Sequence, residues 1–183
     1  MFMGITLSSF ADAWAQKDNE RFRRYLQKSF DAMIIMAIPL IVGTILIAPD
    51  IMTFISGKEF IVSGRILQIL ILAMGMVFVG TLFGHLINII NAQRTMLWGY
   101  AAGAIGGLAG YLIFIPLFSF WGAAWMTVAT EGFIMIIAFG VFYRRTRLRP
   151  RLSRLPAICL ASAIMGLLVW LCAPYLPLLV VLF

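Results

Sequence analysis

Six polar side chains lie in or beside long apolar runs and are the candidates for chemistry: Arg65, Thr81, His85, Asn88, Thr127 and Glu131. Ionisable groups are costly in hydrocarbon, so each one there calls for a structural or functional reason. Glu131 follows Thr127 by four residues, which puts both on one helical face. Two readings of Glu131 stand side by side: a protonated or hydrogen-bonded carboxyl that fixes helix packing, or a carboxylate that couples a proton or cation to movement through an aqueous cavity. Thr81, His85 and Asn88 are spaced i, i+4, i+7 and form a polar stripe. Such a stripe either lines a cavity that touches sugar or phosphate, or bonds neighbouring helices together. Arg65 at the edge of its apolar run is either a snorkelling anchor or a bidentate partner for a pyrophosphate.

Other chemistry finds no residues to carry it. The single histidine has no second His or Cys at ligand spacing, so no metal site is read. Cys159 and Cys172 are too far apart for a redox or metal motif and read as small apolar residues packed by lipid or helix. Inside the spans no two carboxylates lie within one helical turn of each other, and neither a glycine-rich phosphate loop with lysine nor a nucleophile motif occurs. The sequence therefore reads as a non-enzyme without a cofactor.

The elements that hold these residues are set by composition. Of 183 residues, 63% are hydrophobic and 11% charged, and mean hydropathy is +1.02. A soluble domain is about half apolar and about a quarter charged, so the solvent expected here is a bilayer. At about 20 residues per span the chain has room for five or six membrane helices and short loops. The fold class expected is all-α, a polytopic transmembrane helical bundle forming a single membrane domain.

Apolar runs place five complete spans at about 32–49, 66–90, 96–118, 122–143 and 155–173, with partial helices at both ends, 1–14 and 175–183. The N-terminal segment lacks a basic region and a cleavage site, so it reads as the end of a helix and not as a signal peptide. Residues 17–30 put Phe22, Tyr25, Leu26 and Phe30 on one face and Arg21, Arg23, Arg24 and Lys28 around the rest. This pattern predicts an interfacial helix on anionic membrane lipids. Pro39 is expected to kink the first span, and Ser119-Phe120-Trp121 to form an uncharged corner between the third and fourth. Gly99, Gly103 and Gly107, with Gly106 and Gly110 on an adjacent stripe, permit close helix approach, either as static packing or as a sliding surface.

Net charge is +7, but the cations do not form a nucleic-acid face. They cluster as Lys17, Arg21, Arg23, Arg24, Lys28 and as Arg144, Arg145, Arg147, Arg149, Arg151, Arg154, each group against an apolar run. On alternate loops, with Arg94, one side carries 12 of the 14 lysines and arginines, and the other carries only Lys58 and Arg65. The positive-inside rule makes the first side cytoplasmic, and no nucleic-acid partner is expected.

The segment from Leu112 to Glu131, which reads LIFIPLFSFWGAAWMTVATE, resembles a signature of bacterial polysaccharide flippases: an aliphatic run, Ile-Pro, then Gly-Ala-Ala, a threonine and a Thr-Glu pair. Asn91-Ala92-Gln93-Arg94 resembles that family's short cytoplasmic turn, and 18–24 with Pro39 resembles its basic linker into a proline-bearing helix. The resemblance implies the O-antigen and exopolysaccharide flippase branch of the multidrug/oligosaccharidyl-lipid/polysaccharide exporter superfamily. It further implies a MATE-like second lobe, alternating access, and undecaprenyl-diphosphate-linked oligosaccharide as cargo across the bacterial inner membrane, with multi-pass topology. An N-terminal lobe supplied elsewhere would be a further partner, since the family's first lobe and many of its intramembrane basic residues have no counterpart here. Two alternatives remain: a cation-coupled drug or small-solute antiporter of the same superfamily, and a membrane-embedded enzyme of polysaccharide assembly.

Overall fold

The computed structural model describes residues 2–172, and within them every regular element is helical. The elements are α1 (Phe2–Ala15), α2 (Asn19–Ser56), a 3-10 turn (Lys58–Phe60), α3 (Ile61–Ile89), α4 (Gln93–Thr146) and α5 (Leu155–Cys172). The run at 175–183 lies outside the described residues. Among the described residues three stretches are long and apolar enough to cross a membrane: Asn19–Ser56, Lys58–Ile89 and Gln93–Thr146.

Residues 17–30 and 32–49 were expected as two helices, and they form one. Nothing between Phe30 and Met33 breaks a helix, so α2 runs unbroken for 38 residues, roughly 57 Å. Asp18 starts it, its carboxylate accepting from the Arg21 backbone N–H at 2.9 Å, the usual way an N-cap satisfies an orphan donor. Nor does Pro49 end it. Proline has no N–H for the carbonyl four residues back, and the freed Ile45 carbonyl instead accepts from the Gln68 side chain of α3 at 2.6 Å. The Thr53 hydroxyl donates to the Pro49 carbonyl at 2.7 Å, and the helix stops at Gly57, whose φ of 99° favours glycine.

The 54 residues of α4 are not one rod. Ser119 has φ 53° and ψ −135°, outside helical space, and there the chain turns back on itself. The register is antiparallel: Gly99 faces Ile137, Gly103 faces Ile134, Gly107 faces Thr130 and Gly110 faces Met126. At the tip Gly122 sits against the Phe114 carbonyl, too close for any side chain. Across the seam the hydroxyls of Tyr111 and Thr127 are 2.9 Å apart.

Contacts at glycines also fix the other helix directions. α3 runs antiparallel to α2, with Gly64 on Pro49 and Gly75 on Ile41, and parallel to the second half of α4, with Gly132 on Met76 and Gly80 on Met135. α5 follows the direction of α2: Arg154 pairs with Asp31 at 3.4 Å, and further along Gly43 meets Met165. Together these directions gather residues 17–28, Arg94 and 144–154 at one end of the bundle, and Lys58 and Arg65 at the other.

The core lies at the basic end. Phe10, Phe22, Phe83 and Phe142 are fully buried there, with Phe10–Phe22 centroids 5.2 Å apart, Phe83–Phe142 5.4 Å and Phe22–Phe142 6.4 Å. Elsewhere the outer faces are apolar and open: Trp98 is 78% exposed and Ile105 71%. An apolar surface this extensive is compatible with lipid or partner helices around it and not with water.

Candidate functional site

Three helical segments enclose a cavity of about 370 Å³ between α3 and the α4 hairpin. α3 contributes Thr81, His85 and Asn88, whose helical spacing puts them on one face, and Gly80 and Gly84, whose missing side chains widen it. The second half of α4 contributes Glu131, Ile134 and Met135, and the first half contributes Gln93, Leu97 and Tyr100. The lining extends from Asn88 to Met76, twelve residues of α3 and roughly 18 Å along its axis. Asn88 and Gln93 lie beside the turn at the basic end, while Glu131 is level with Met76, well inside the bundle. Thr81, Asn88, Gln93 and Tyr100 are exposed, so the cavity is open.

Four of the six candidate residues thus share one space. Thr81, His85, Asn88 and Glu131 make no side-chain hydrogen bond or ion pair to another described residue. Residues that held helices together would show interhelical partners, as Tyr111 and Thr127 do. Glu131 is the one acidic side chain in the lining, which holds no arginine or lysine. Amide, hydroxyl, imidazole and carboxylate groups together can exchange hydrogen bonds with a polyhydroxylated solute or coordinate a cation.

The other two candidates are elsewhere. Thr127 is tied into the hairpin seam, its hydroxyl 2.9 Å from that of Tyr111 and donating to the Ala123 carbonyl at 3.0 Å. Arg65 is exposed near the far end of α3, sixteen residues and roughly 24 Å from Thr81. Gln93 and Tyr100 had no place among the candidates although the pattern held a signal: Gln93, Met96, Leu97 and Tyr100 recur at i, i+3, i+4, i+7 and all four line the cavity.

The glycine stripe serves the hairpin. Gly99, Gly103, Gly107 and Gly110 all meet side chains of the second half, while Gly106 meets nothing within 4 Å. Beside it lies a smaller hollow of about 200 Å³, lined by Gly103, Gly106, Gly107, Met126 and Thr130 among others. The Thr130 hydroxyl is buried without a hydrogen-bond partner among the described residues. Among the described residues no group of three His, Cys, Asp or Glu side chains could hold a metal ion.

Neither a protein-family model, nor a curated protein, nor a solved structure matches the chain.

Proposed function

We propose that this chain is part of a transporter that moves a lipid-linked oligosaccharide across a bacterial inner membrane by alternating access. α2, α3, the two halves of α4 and α5 are its five spans, with the basic end in the cytoplasm. The observation that carries the proposal is the half-open cavity in which Thr81, His85, Asn88 and Glu131 present unpaired polar groups to the same space. A flippase must give a hydrated head group somewhere polar to rest while its polyprenyl chain stays in lipid, and it needs mobile helices in place of reactive groups. The Ile-Pro to Gly-Ala-Ala segment, which forms the tip of the α4 hairpin, supports the flippase branch by resemblance. Positive charge at one end supports the orientation.

A second reading draws on Glu131. A single carboxyl among Met76, Ile134 and Met135 suits a cation-coupled antiporter for a drug or small solute. Proteoliposomes carrying the protein separate the two. Translocation of a lipid-linked oligosaccharide is read by protection from an external glycosidase, and uptake of a cationic dye is measured in parallel. Glycan movement that falls at least about tenfold in Asn88→Ala and His85→Ala supports the first reading; dye movement with no glycan movement supports the second.

A further inference from the structure

The linker between α4 and α5, residues 147–154, carries Arg147, Arg149, Arg151 and Arg154, yet it is held in place along its length. Leu148 packs on the aromatic core at its start. In its middle the Gln27 side chain of α2 both donates to the Arg151 carbonyl at 2.9 Å and accepts from the Arg151 N–H at 2.7 Å, the two-way bond of a strand pair. At its end Arg154 reaches Asp31 at 3.4 Å, while Gln27 also donates to Asp31 at 2.8 Å. Asp31 is only 7% exposed, and Arg154 remains open to the outside.

The attachment has a consequence for charge. Arg24, Gln27, Lys28 and Asp31 recur at i, i+3, i+4, i+7, so the linker lies along a stripe of α2 that itself carries two cations. Arg24, Lys28 and the four linker arginines are exposed, six cations against two carboxylates on the same stripe, Asp31 and, one turn before Arg24, Glu20. A free linker would spread these charges; one tied at three points keeps them together, at a conformational cost already met by folding. Gln27 donates and accepts through its amide and brings no charge, so the tie does not neutralise the patch.

We propose that this stripe is a binding site for the phosphate of an anionic phospholipid, assembled by the Gln27–Arg151 bridge. What selects a lipid over a soluble anion is the apolar surface joined to it. Leu152, within the linker, is 57% exposed; Ile35, one turn beyond Asp31 on the same face of α2, is 50% exposed, and Leu160 on α5 is 64% exposed. A diacyl lipid satisfies both parts, its phosphate among the guanidinium groups and its chains along α2 and α5. The site is independent of the cavity and of any cargo.

The test uses the full chain, delipidated in a mild detergent, with phosphatidylglycerol, phosphatidylcholine of the same chains, or soluble glycerol phosphate added, and reads thermal unfolding and retained lipid by native mass spectrometry. Phosphatidylglycerol should be retained and should raise the unfolding temperature, while the other two leave it unchanged. Arg24→Ala with Lys28→Ala, both exposed and outside the core, should weaken apparent affinity by about 30-fold. Gln27→Leu should weaken it with all six cations still present, and Arg65→Ala at the other end should leave it unaltered. Equal stabilisation by phosphatidylcholine, a response to glycerol phosphate alone, or wild-type affinity in the Arg24/Lys28 double variant would each overturn the site. Should Gln27→Leu fail to fold, the double variant decides.

Discussion

At the basic end of the bundle, α2, α3 and the second half of α4 meet through the buried rings of Phe22, Phe83 and Phe142, with Phe142 in contact with each of the other two. On the opposite face of the same stretch of α3, Thr81, His85 and Asn88 line the cavity with Glu131 of α4, and none of the four bonds through its side chain to another described residue. Packing and polar access are thus divided between two faces of α3. The aromatic cluster, with α1 against it and the linker tied across α2, fixes the relative position of the helices. The apolar part of the cavity wall shares in that packing, through Ile87, Met96 and the Gly80–Met135 contact, while the four polar side chains, which would be a liability in a tight seam, stand open.

If that division is right, substitutions in the two regions should differ in kind. The largest loss of stability is expected at Phe142, which touches both Phe22 and Phe83: Phe142→Ala should cost about 3–5 kcal/mol, read from unfolding in detergent. A loss as small as that of a cavity substitution would erase the contrast. Next are the glycines pressed on backbone. A methyl group at Gly64 would stand 2.5 Å from the Pro49 Cα, and one at Gly122 would run into the Phe114 carbonyl. Either Gly→Ala change should cost about 1–3 kcal/mol, whereas Gly106→Ala, with nothing within 4 Å, should be neutral or slightly stabilising. Smallest is Thr130→Val, which removes a buried hydroxyl with no partner among the described residues and should shift stability by no more than about 1 kcal/mol, in the stabilising direction. A clear loss there would mean that the hydroxyl has a partner that moves.

Much of this contrast was legible in the sequence, for reasons that differ by element. Composition marks the apolar helices because a bilayer tolerates little else. Ser119-Phe120-Trp121 marks the reversal in α4, and the clustering of arginines marks the end at which the core forms. The continuity of α2 was hidden, because Pro49 normally signals a stop and its cost is relieved by Gln68, which sits 19 residues later on another helix. The stripe of Thr81, His85 and Asn88 was legible because it depends on one helix alone. Thr127 was grouped with Glu131 on the same reasoning, yet four residues turn a helix by about 40° beyond a full circle and move it one turn, enough to face Tyr111 and not the cavity. Gln93 and Tyr100 join the site only through the register of α3 against α4, and the Gln27–Arg151 bridge spans 124 positions of sequence. Such pairings are set by tertiary packing, which periodicity does not report.

The most direct test of the account pairs stability with transport in one set of variants. Glu131→Gln and Asn88→Ala are reconstituted in proteoliposomes with a lipid-linked oligosaccharide, and unfolding temperature and translocation rate are measured on the same preparations. The account predicts unfolding within about 0.5 kcal/mol of the parent, the range of substitutions away from packed features, together with a translocation rate reduced at least about tenfold. Undiminished translocation with a marked loss of stability would contradict it, because the polar residues of the cavity would then be holding the bundle together.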